Sequence, residues 1–357
     1  MQDDARLLSD DELALIHAMQ LQPRASWTEL GRVLGVDPVT VARWWGRLAE
    51  RGEAWVGFSP GPRMAEQLCA AFVDIDCAAA NAAAVSRVLS GHPHVVNLER
   101  AAGAHQLLAT VATTDLAAMS PYTLDVLPTV PGVSVVRARI ITHVFTEGGR
   151  WRIGALARAQ RAQLTAPAGS TTVPPTRQVT TFDRALMARL APDGRASHQA
   201  LADAMGTSAS TVKRRLDQLA RTGTLRFRCD FARPLGGWPV AVTFWVTVPP
   251  ADLPDVGHAL VRLSDVRACL AITGPHNLVL QAYLRSAEDV LPLRNPDRHR
   301  PPRYQHRRAN DHLADRQTSR PPTRPSRTIH RRRTDRRLVR PRGVRKFRSG
   351  VNALPRC

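Results

Sequence analysis

Lys213, Arg214 and Arg215, with Ser210 and Thr211 just before them, concentrate cationic and hydroxyl donors in one short run. Around them Val212, Leu216 and Leu219 recur at i, i+4 and i+7, the spacing that buries one face of a helix and turns the polar set outward. A guanidinium forks onto guanine O6 and N7 or onto a phosphate, and hydroxyls add hydrogen bonds to either. The chemistry offered is therefore recognition of duplex DNA. The elements that must position it are legible in the surrounding stretch, SHQALADAMGTSASTVKRRLDQLARTG, residues 197–223. Ser197 and Ser208 each stand where a helix N-cap accepts a backbone N–H, and Gly206 supplies the turn between them. That is a helix-turn-helix outline, whose second helix enters the major groove. Two short helices joined through a glycine also occur in many other all-helical domains.

The pattern occurs twice. One constant offset in numbering, applied without a gap, aligns Arg24 with Arg195, Ser26 with Ser197, Gly35 with Gly206, Thr40 with Thr211, Arg43 with Arg214, Leu48 with Leu219 and Gly52 with Gly223. The same offset pairs Val95 with Val266, Gly103 with Gly274, His105 with His276 and Pro121 with Pro292, so the chain reads as a tandem duplication. In the first copy Ser26-x-x-Glu29 is a capping box and Asp37-Pro38 starts the recognition helix. Val41, Trp45 and Leu48 point inward there, leaving Thr40, Arg43, Trp44 and Arg47 outside. Arg43 and Arg214 are the candidates for gripping guanine or phosphate, Arg47, Lys213 and Arg215 for phosphates, and Thr40, Ser210 and Thr211 for added hydrogen bonds. Trp44 stands at the place of Arg215; it either touches a thymine methyl or sugar, or is buried in a shifted register. For each of these residues the competing reading is a solvated helix face. Two linked readers predict a pseudo-dimer on half-sites about one DNA turn apart, and their unlike faces predict unlike half-sites.

Length and charge bound the rest. A chain of 357 residues accommodates two or three domains. Its formal net charge is +20, yet from Arg294 to the end there are 21 Lys+Arg against 4 Asp+Glu, a net of +17, so the basicity belongs to the tail and says little about the folded part. The five cysteines at 69, 77, 229, 269 and 357 form no CxxC pair, which predicts reduced thiols in a cytoplasmic protein and no metal site. The opening MQDDARLLSDDE lacks an apolar core, so no secretory leader is expected. The run Val240 to Val248 is too short to cross a bilayer, and no membrane association is expected.

After each helix-turn-helix the period changes. Glu53 to Phe58 and Thr224 to Phe231 read as wing strands. From Leu68 follow a strand (CAAFVDID), an Ala-rich helix from Cys77 to Leu89, strands at His94 to Ala101 and His105 to Thr113, a helix from Leu116 to Leu127, and a long strand from Val133 to Phe145. That order is βαββαβ, a ferredoxin-like unit with one open sheet face that needs a partner. The second copy supplies a strand at Pro239 to Val248, a helix at Leu253 to Leu263, and strands at Val266 to Thr273 and Asn277 to Leu284. The fold class is thus α+β: a winged helix-turn-helix plus a ferredoxin-like βαββαβ module, duplicated in tandem.

A winged helix-turn-helix followed by such a module resembles the Lrp/AsnC (feast/famine) family of transcriptional regulators. SDDELALIHAMQLQPRASWTELGRVLGVDPVTVARWWGRLAERG carries the family's pattern, and TFDRALMARLAPDGRASHQALADAMGTSASTVKRRLDQLARTG carries it again. The resemblance covers residues 10–145 and 181–293. It implies a DNA-binding dimer or assembly of dimers, whose RAM modules pair through their sheets and often bind an amino acid nearby. The loop implied for that effector holds Gly103, His105 and Gln106 in one copy and Gly274, His276 and Asn277 in the other, with amides where the family commonly has Asp. The partners expected are double-stranded DNA, an amino-acid effector, and a homo-oligomer or intramolecular pseudo-dimer. Some siroheme decarboxylases resemble the same two-module architecture and use paired histidines. That enzyme reading, and a protein-interaction module with degenerate DNA binding, are the alternatives. No GxSxG, P-loop, GxGxxG or metal cluster is present, so neither catalytic residues nor a cofactor are expected.

The expected domains are 1–60 (winged helix-turn-helix), 64–146 (RAM-like), 147–180 (linker, rich in Pro, Ser and Thr toward its end, with a short helix at Leu156 to Leu164), 181–236 (winged helix-turn-helix), 237–293 (RAM-like, incomplete) and 294–357. At Arg294 the repeat stops. Hydrophobic side chains are too sparse beyond it to bury a core, so a disordered Arg/Pro-rich tail is expected. Its abrupt onset and composition suggest a frameshifted end, with a native basic arm as the rival reading.

Overall fold

The computed structural model describes residues 6–103, 105–164, 179–294 and 313–315. Residues 165–178 of the expected linker, and the tail apart from 294 and 313–315, lie outside the described residues.

The first helix-turn-helix comprises α1 (Asp10–Leu21), α2 (Trp27–Leu34) and α3 (Pro38–Arg51). Ser9 and Glu12 form a reciprocal capping box on α1. At α2 only the forward half of the expected box is made: Ser26 Oγ accepts the Glu29 N–H at 3.1 Å. Asp37 caps α3 through the Val39 N–H at 2.8 Å, and Gly35 and Gly52 end α2 and α3 at φ +70° and +75°, where only glycine is unstrained. Val41, Trp45 and Leu48 are buried as their spacing predicts.

β1 (Ala54–Pro60) and α4 (Pro62–Ala65) lead into the first module: β2 (Cys69–Cys77), α5 (Ala82–Leu89), β3 (Val95–Ala102), β4 (Leu107–Thr113), α6 (Leu116–Pro121) and β5 (Val133–Thr146). The strands run antiparallel in the order β3-β4-β2-β5, with Val73, Ile75, Val85, Leu89, Val111 and Met119 buried beneath the helices. The helix expected to reach Leu127 widens after Pro121 into π and 3-10 turns, because proline brings no N–H to the ladder.

The following stretch corrects the expected linker. Between β5 and the end of α7 (Arg158–Leu164), Leu156 and Leu164 are buried in the core shared with the first helix-turn-helix, while Trp151 packs on Phe231, Trp238 and Tyr283 and donates Nε1–H to the Ser264 carbonyl at 3.0 Å. His17 Nδ1 accepts the Leu156 N–H at 2.9 Å and Gln20 Oε1 the Ile153 N–H at 3.0 Å. Burial, together with the Arg152 and Arg161 charges, pushes the His17 imidazole down to about 4, which keeps it a neutral acceptor. Residues 147–164 are therefore a clasp that returns from the sheet to the first helix-turn-helix.

The second half holds α8 (Thr181–Leu190), α9 (His198–Met205), α10 (Ala209–Arg221), β6 (Leu225–Phe231), β7 (Val240–Val246), α11 (Leu253–Leu260), β8 (Val266–Ile272), β9 (Leu278–Leu284) and α12 (Val290–Arg294). β10 (Leu313–Asp315) pairs with β3, so the tail is not devoid of structure at this point. β5 pairs with β8, which joins the two modules in one eight-stranded sheet ordered β10-β3-β4-β2-β5-β8-β9-β7. Their open faces meet through Phe72 and Leu108 on one side and Trp245, Leu270, Ile272 and Val279 on the other. Phe72 and Trp245 pack edge to face at 5.5 Å. Buried Glu99 of β3 accepts from Gln281 of β9 at 3.0 Å and faces Arg267 of β8, so the charges brought into this layer are partnered.

The two expected wing strands form, and they pair with each other. β1 pairs antiparallel with β6, placing Gly57 opposite Arg228, Ala54 opposite Phe231 and Pro60 opposite Leu225. Gly57 and Arg228 are separated by the same offset as the sequence pairs aligned above, and the register is symmetric about them, so a local two-fold axis passes between them. Reciprocal bonds close the ribbon: Gly61 N–H to Thr224 O at 3.0 Å and Ala232 N–H to Glu53 O at 2.7 Å. The reciprocity extends to side chains. Arg24 donates to the carbonyls of Gly194 and Ala196 at 2.5 and 3.0 Å, and Arg195 donates to those of Pro23 and Ala25 at 2.7 and 2.9 Å. Arg195 also stacks over Trp27 at 3.9 Å. A lone strand would leave its ladder groups unpaired, and each unit supplies only one. Gly61 passes so close to Gly223 that a Cβ there would strike the Gly223 carbonyl.

Arg215 also departs from expectation. It turns from the outer face of α10 onto the buried Asp183 carboxylate of α8, with Nη2 to Oδ2 at 2.5 Å, and Nη1 donates to Gln218 at 2.8 Å. Its side chain is 14% exposed and Asp183 is fully enclosed. Burial alone would raise the Asp183 carboxyl, but bonds from Arg215 and Thr180 outweigh it and hold the group below its ordinary value.

Two stability outcomes follow. Arg195→Ala should lower the unfolding free energy by about 3 kcal/mol in urea titrations, because two charge-assisted bonds and a stacked cation go together, and Arg195→Lys should not restore it. Arg215→Ala should cost about 3–5 kcal/mol at pH 7 by stranding a buried carboxylate, with the loss shrinking as acid protonates Asp183. Arg214→Ala should stay within about 0.5 kcal/mol of the parent protein.

Candidate nucleic-acid interface

α3 and α10 present their outward faces from the two sides of the axis between Gly57 and Arg228. On α3, Arg43 is exposed and Arg47 and Thr40 are half-buried. Neither guanidinium has a hydrogen-bond or ion-pair partner among the described residues. Trp44 is half-buried against the core of its own unit, which favours the packed reading over contact with a base. Val39, one position before Thr40, is 76% exposed; sequence reasoning passes over it because apolar residues are sought inside rather than on a reading face.

On α10, Ser208 Oγ accepts the Thr211 N–H at 3.2 Å and shares hydroxyl bonds of 2.9 Å with Ser210 and Thr211, so the expected hydroxyl pair also serves the cap. Lys213 pairs with Asp217 one turn on at 2.7 Å. Both are exposed, and such a pair contributes little, so the ammonium can exchange onto a phosphate. Arg214 is exposed with no partner among the described residues. Of the three consecutive cations, then, Arg214 and Lys213 face solvent and Arg215 holds α8 to α10.

The two effector-loop candidates come to related places. His105 lies 2.8 Å from Asp76 through Nδ1 and 3.4 Å from Asp74 through Nε2. His276 lies 3.1 Å from Thr247 and packs near Trp245. Positions 74 and 76 are separated from 245 and 247 by the same offset as His105 from His276, so each histidine meets matching strand positions of its own module. Arg139 ties the neighbourhoods together: it donates to Asp74 at 2.5 Å, lies 4.3 Å from the Trp245 ring centre, and runs beside Gly274, whose φ is +114°. Arg137 donates to Asp76 at 2.7 Å. Burial would raise the Asp76 carboxyl, yet the Arg137 and His105 bonds leave it lowered. Burial and the Arg139 charge lower His276.

The amides are committed to backbone. Gln106 Oε1 accepts the Cys77 N–H at 3.0 Å, and Asn277 bonds both the N–H and the carbonyl of Val248. Gly103 ends its strand in the same loop. Asp74, Asp76, Arg137, Arg139 and Trp245 are neighbours of this site that the sequence reading does not supply. The signal is present as charges alternating through apolar strands, FVDID and VVRARI. An incoming ammonium would meet carboxylates already paired with Arg and His. Elsewhere, a pocket of about 370 Å³, counting its open mouth, lies where the first helix-turn-helix meets the second sheet, lined by Gln20, Trp151, Arg152, Phe231, Arg233 and Tyr283. Among the described residues no group of three metal-ligating side chains is placed to hold an ion, and no helix is long and apolar enough to cross a membrane.

Two family models match the chain, one in each half: the AsnC-type helix-turn-helix domain over residues 180–220 and the Lrp/AsnC ligand binding domain over 70–151. The chain is 30% identical over 115 residues to the HTH-type transcriptional regulator LrpA of Mycobacterium tuberculosis, covering 31% of this chain and 77% of the relative. It is 26% identical over 114 residues to an uncharacterized HTH-type transcriptional regulator of Pyrococcus abyssi, covering 32% and 72% respectively. A crystal structure of the siroheme decarboxylase NirDL is similar in fold across 85% of this chain and 92% of its own, with a TM-score of 0.52 and 13% identity. At that identity the likeness speaks to architecture alone. With both family models matched and a regulator relative covered over most of its length, the chain belongs to the Lrp/AsnC family of DNA-binding transcriptional regulators.

Proposed function

We propose that this protein is a sequence-specific regulator that reads two unlike half-sites with one chain. The observation that carries the reading is the two-fold pairing of β1 with β6, which sets α3 and α10 on either side of one axis as a dimer of single-reader chains would. In this reading the chain is a tandem duplication, with units at 1–60 and 181–236 for DNA and 64–146 and 237–293 for the sheets, and with 147–164 as a clasp. Arg43 and Arg214 contact guanine or phosphate, Arg47 and Lys213 contact phosphates, and Thr40, Ser210 and Thr211 add hydrogen bonds. Arg215 and Trp44 support the readers from behind. A small effector, an amino acid by the family's ligand-binding domain, acts at the loops around His105 and His276 by displacing the Asp74 and Asp76 pairs and changing how the sheets meet. The work is done in the cytoplasm, and the chain is a pseudo-dimer that is free to assemble further.

Members of the family are generally not enzymes. The fold likeness to a siroheme decarboxylase favours one rival, a tetrapyrrole-processing enzyme. Against it, the space between the sheets is filled by Phe72, Leu108, Trp245, Leu270, Ile272 and Val279. The histidines that come together flank other rings: His92 and His94 flank Tyr122, which is buried in the helix-covered core of the first module, and His143 and His258 flank Phe145. Titration with siroheme should produce no shifted absorbance band; a stoichiometric band would favour the enzyme.

The direct test uses the full chain with its own upstream DNA and a scrambled duplex, in a salt series with excess polyanion competitor so that the basic tail does not dominate. The upstream DNA should bind at least tenfold tighter than the scrambled duplex. The Arg43→Ala/Arg214→Ala double variant should lose that preference, since each contact carries about 1–3 kcal/mol, while its weak binding to scrambled DNA changes far less. An unchanged preference in the double variant would overturn the assignment of these residues.

A further inference from the structure

α3 carries a side chain whose position no packing need explains. Val39 is 76% exposed, more than any other large apolar residue among those described. Single exposed apolar residues are common, so exposure alone decides nothing. Its place does. Val39 is the second residue of the reading helix, and the N-terminal residues of such a helix are the ones that reach base edges. It shares a stripe with Arg43 and Arg47 at i, i+4 and i+8, the two guanidiniums that lack a protein partner among the described residues. Its backbone N–H is held by the Asp37 cap at 2.8 Å, and a β-branched side chain in a helix has one strongly preferred rotamer, so little freedom is lost when it docks.

An isopropyl group has no use for a phosphate or a hydrogen-bonding base edge. The apolar feature the major-groove floor offers is the C5-methyl of thymine. Resting on the regulator reading, we infer that Val39 reads a thymine methyl in the half-site under α3, and that the half-site under α10 lacks this requirement because Ser210 stands in the equivalent place. Ser210 is the repeat counterpart of Val39, and its hydroxyl bonds Ser208 at 2.9 Å; a hydroxyl pairs with several base edges and does not select a methyl. Val39 and Arg43 lie about 6 Å apart along the helix, so the thymine falls within the same half-site as whatever Arg43 contacts. The operator is therefore asymmetric at a defined position, which sets the direction in which the chain sits on its DNA.

The test is a methyl scan. In the upstream duplex each thymine is replaced singly by deoxyuridine, which keeps Watson–Crick pairing and removes only the methyl, and affinities are measured for the full chain, Val39→Ser and Ser210→Val. The parent protein should lose about fourfold at one thymine in one half-site, the worth of one methyl group. Val39→Ser should bind the unmodified duplex about fourfold more weakly and be indifferent to the substitution there. Ser210→Val, which gives up the hydroxyl bond to Ser208 and any hydroxyl contact to DNA, should bind a duplex with thymine at the mirror position about fourfold tighter than the same duplex with deoxyuridine there. A parent protein that prefers its upstream DNA yet shows no methyl-sensitive thymine, or a Val39→Ser variant that keeps the sensitivity, would overturn the inference and leave the regulator reading standing. No preference for upstream over scrambled DNA would overturn both.

Discussion

Everything that sets the two helix-turn-helix units side by side in this chain depends on one antiparallel ribbon, β1 with β6. Each strand follows its recognition helix directly and has no second strand in its own unit, so an isolated unit would expose a row of unpaired N–H and C=O groups. Pairing across the axis satisfies both rows at once, and Gly57 opposite Arg228 sets the register that makes the halves equivalent. The Arg24 and Arg195 forks then fix the units side by side, each onto two carbonyls of the other. A guanidinium suits that task because its planar donors reach two acceptors at once.

The same logic recurs at the sheets with less symmetry. Each module has one face covered by helices and one that must find apolar company, and β5 with β8 joins the edges while Phe72, Trp245 and their neighbours fill the layer between the faces. The charged groups taken into that layer are matched, Glu99 with Arg267 and Gln281, Asp74 with Arg139 and His105. Such groups specify one arrangement of the sheets more than they stabilise it, since a mismatched register would leave a buried charge alone. They are also the parts of the sheet contact that the small effector proposed above would compete for.

Much of this is legible in the sequence. The inward faces of α3 and α10, the caps at Ser26, Asp37, Ser197 and Ser208, and the βαββαβ order all follow from periods and capping chemistry that act over a few residues. What a local reading misses depends on partners far away in the chain. Arg215 looks like its neighbours until Asp183 is placed beside it on α8, two helices earlier, and residues 147–164 look like a linker until His17 and Gln20 are seen to accept their N–H groups. The wings read as separate elements because nothing local says that one strand's ladder ends on the other. Gln106 and Asn277 read as ligand amides, yet they bridge backbone.

The most direct test of the central claim is the number of chains bound to one upstream duplex, measured by light scattering on the purified complex. If the two-fold lies within the chain, a single copy of 39.2 kDa engages both half-sites of one duplex. If two copies are required for the same footprint, each presenting one reader, then the ribbon does not join the two units of one chain and the account given for β1 and β6 is wrong.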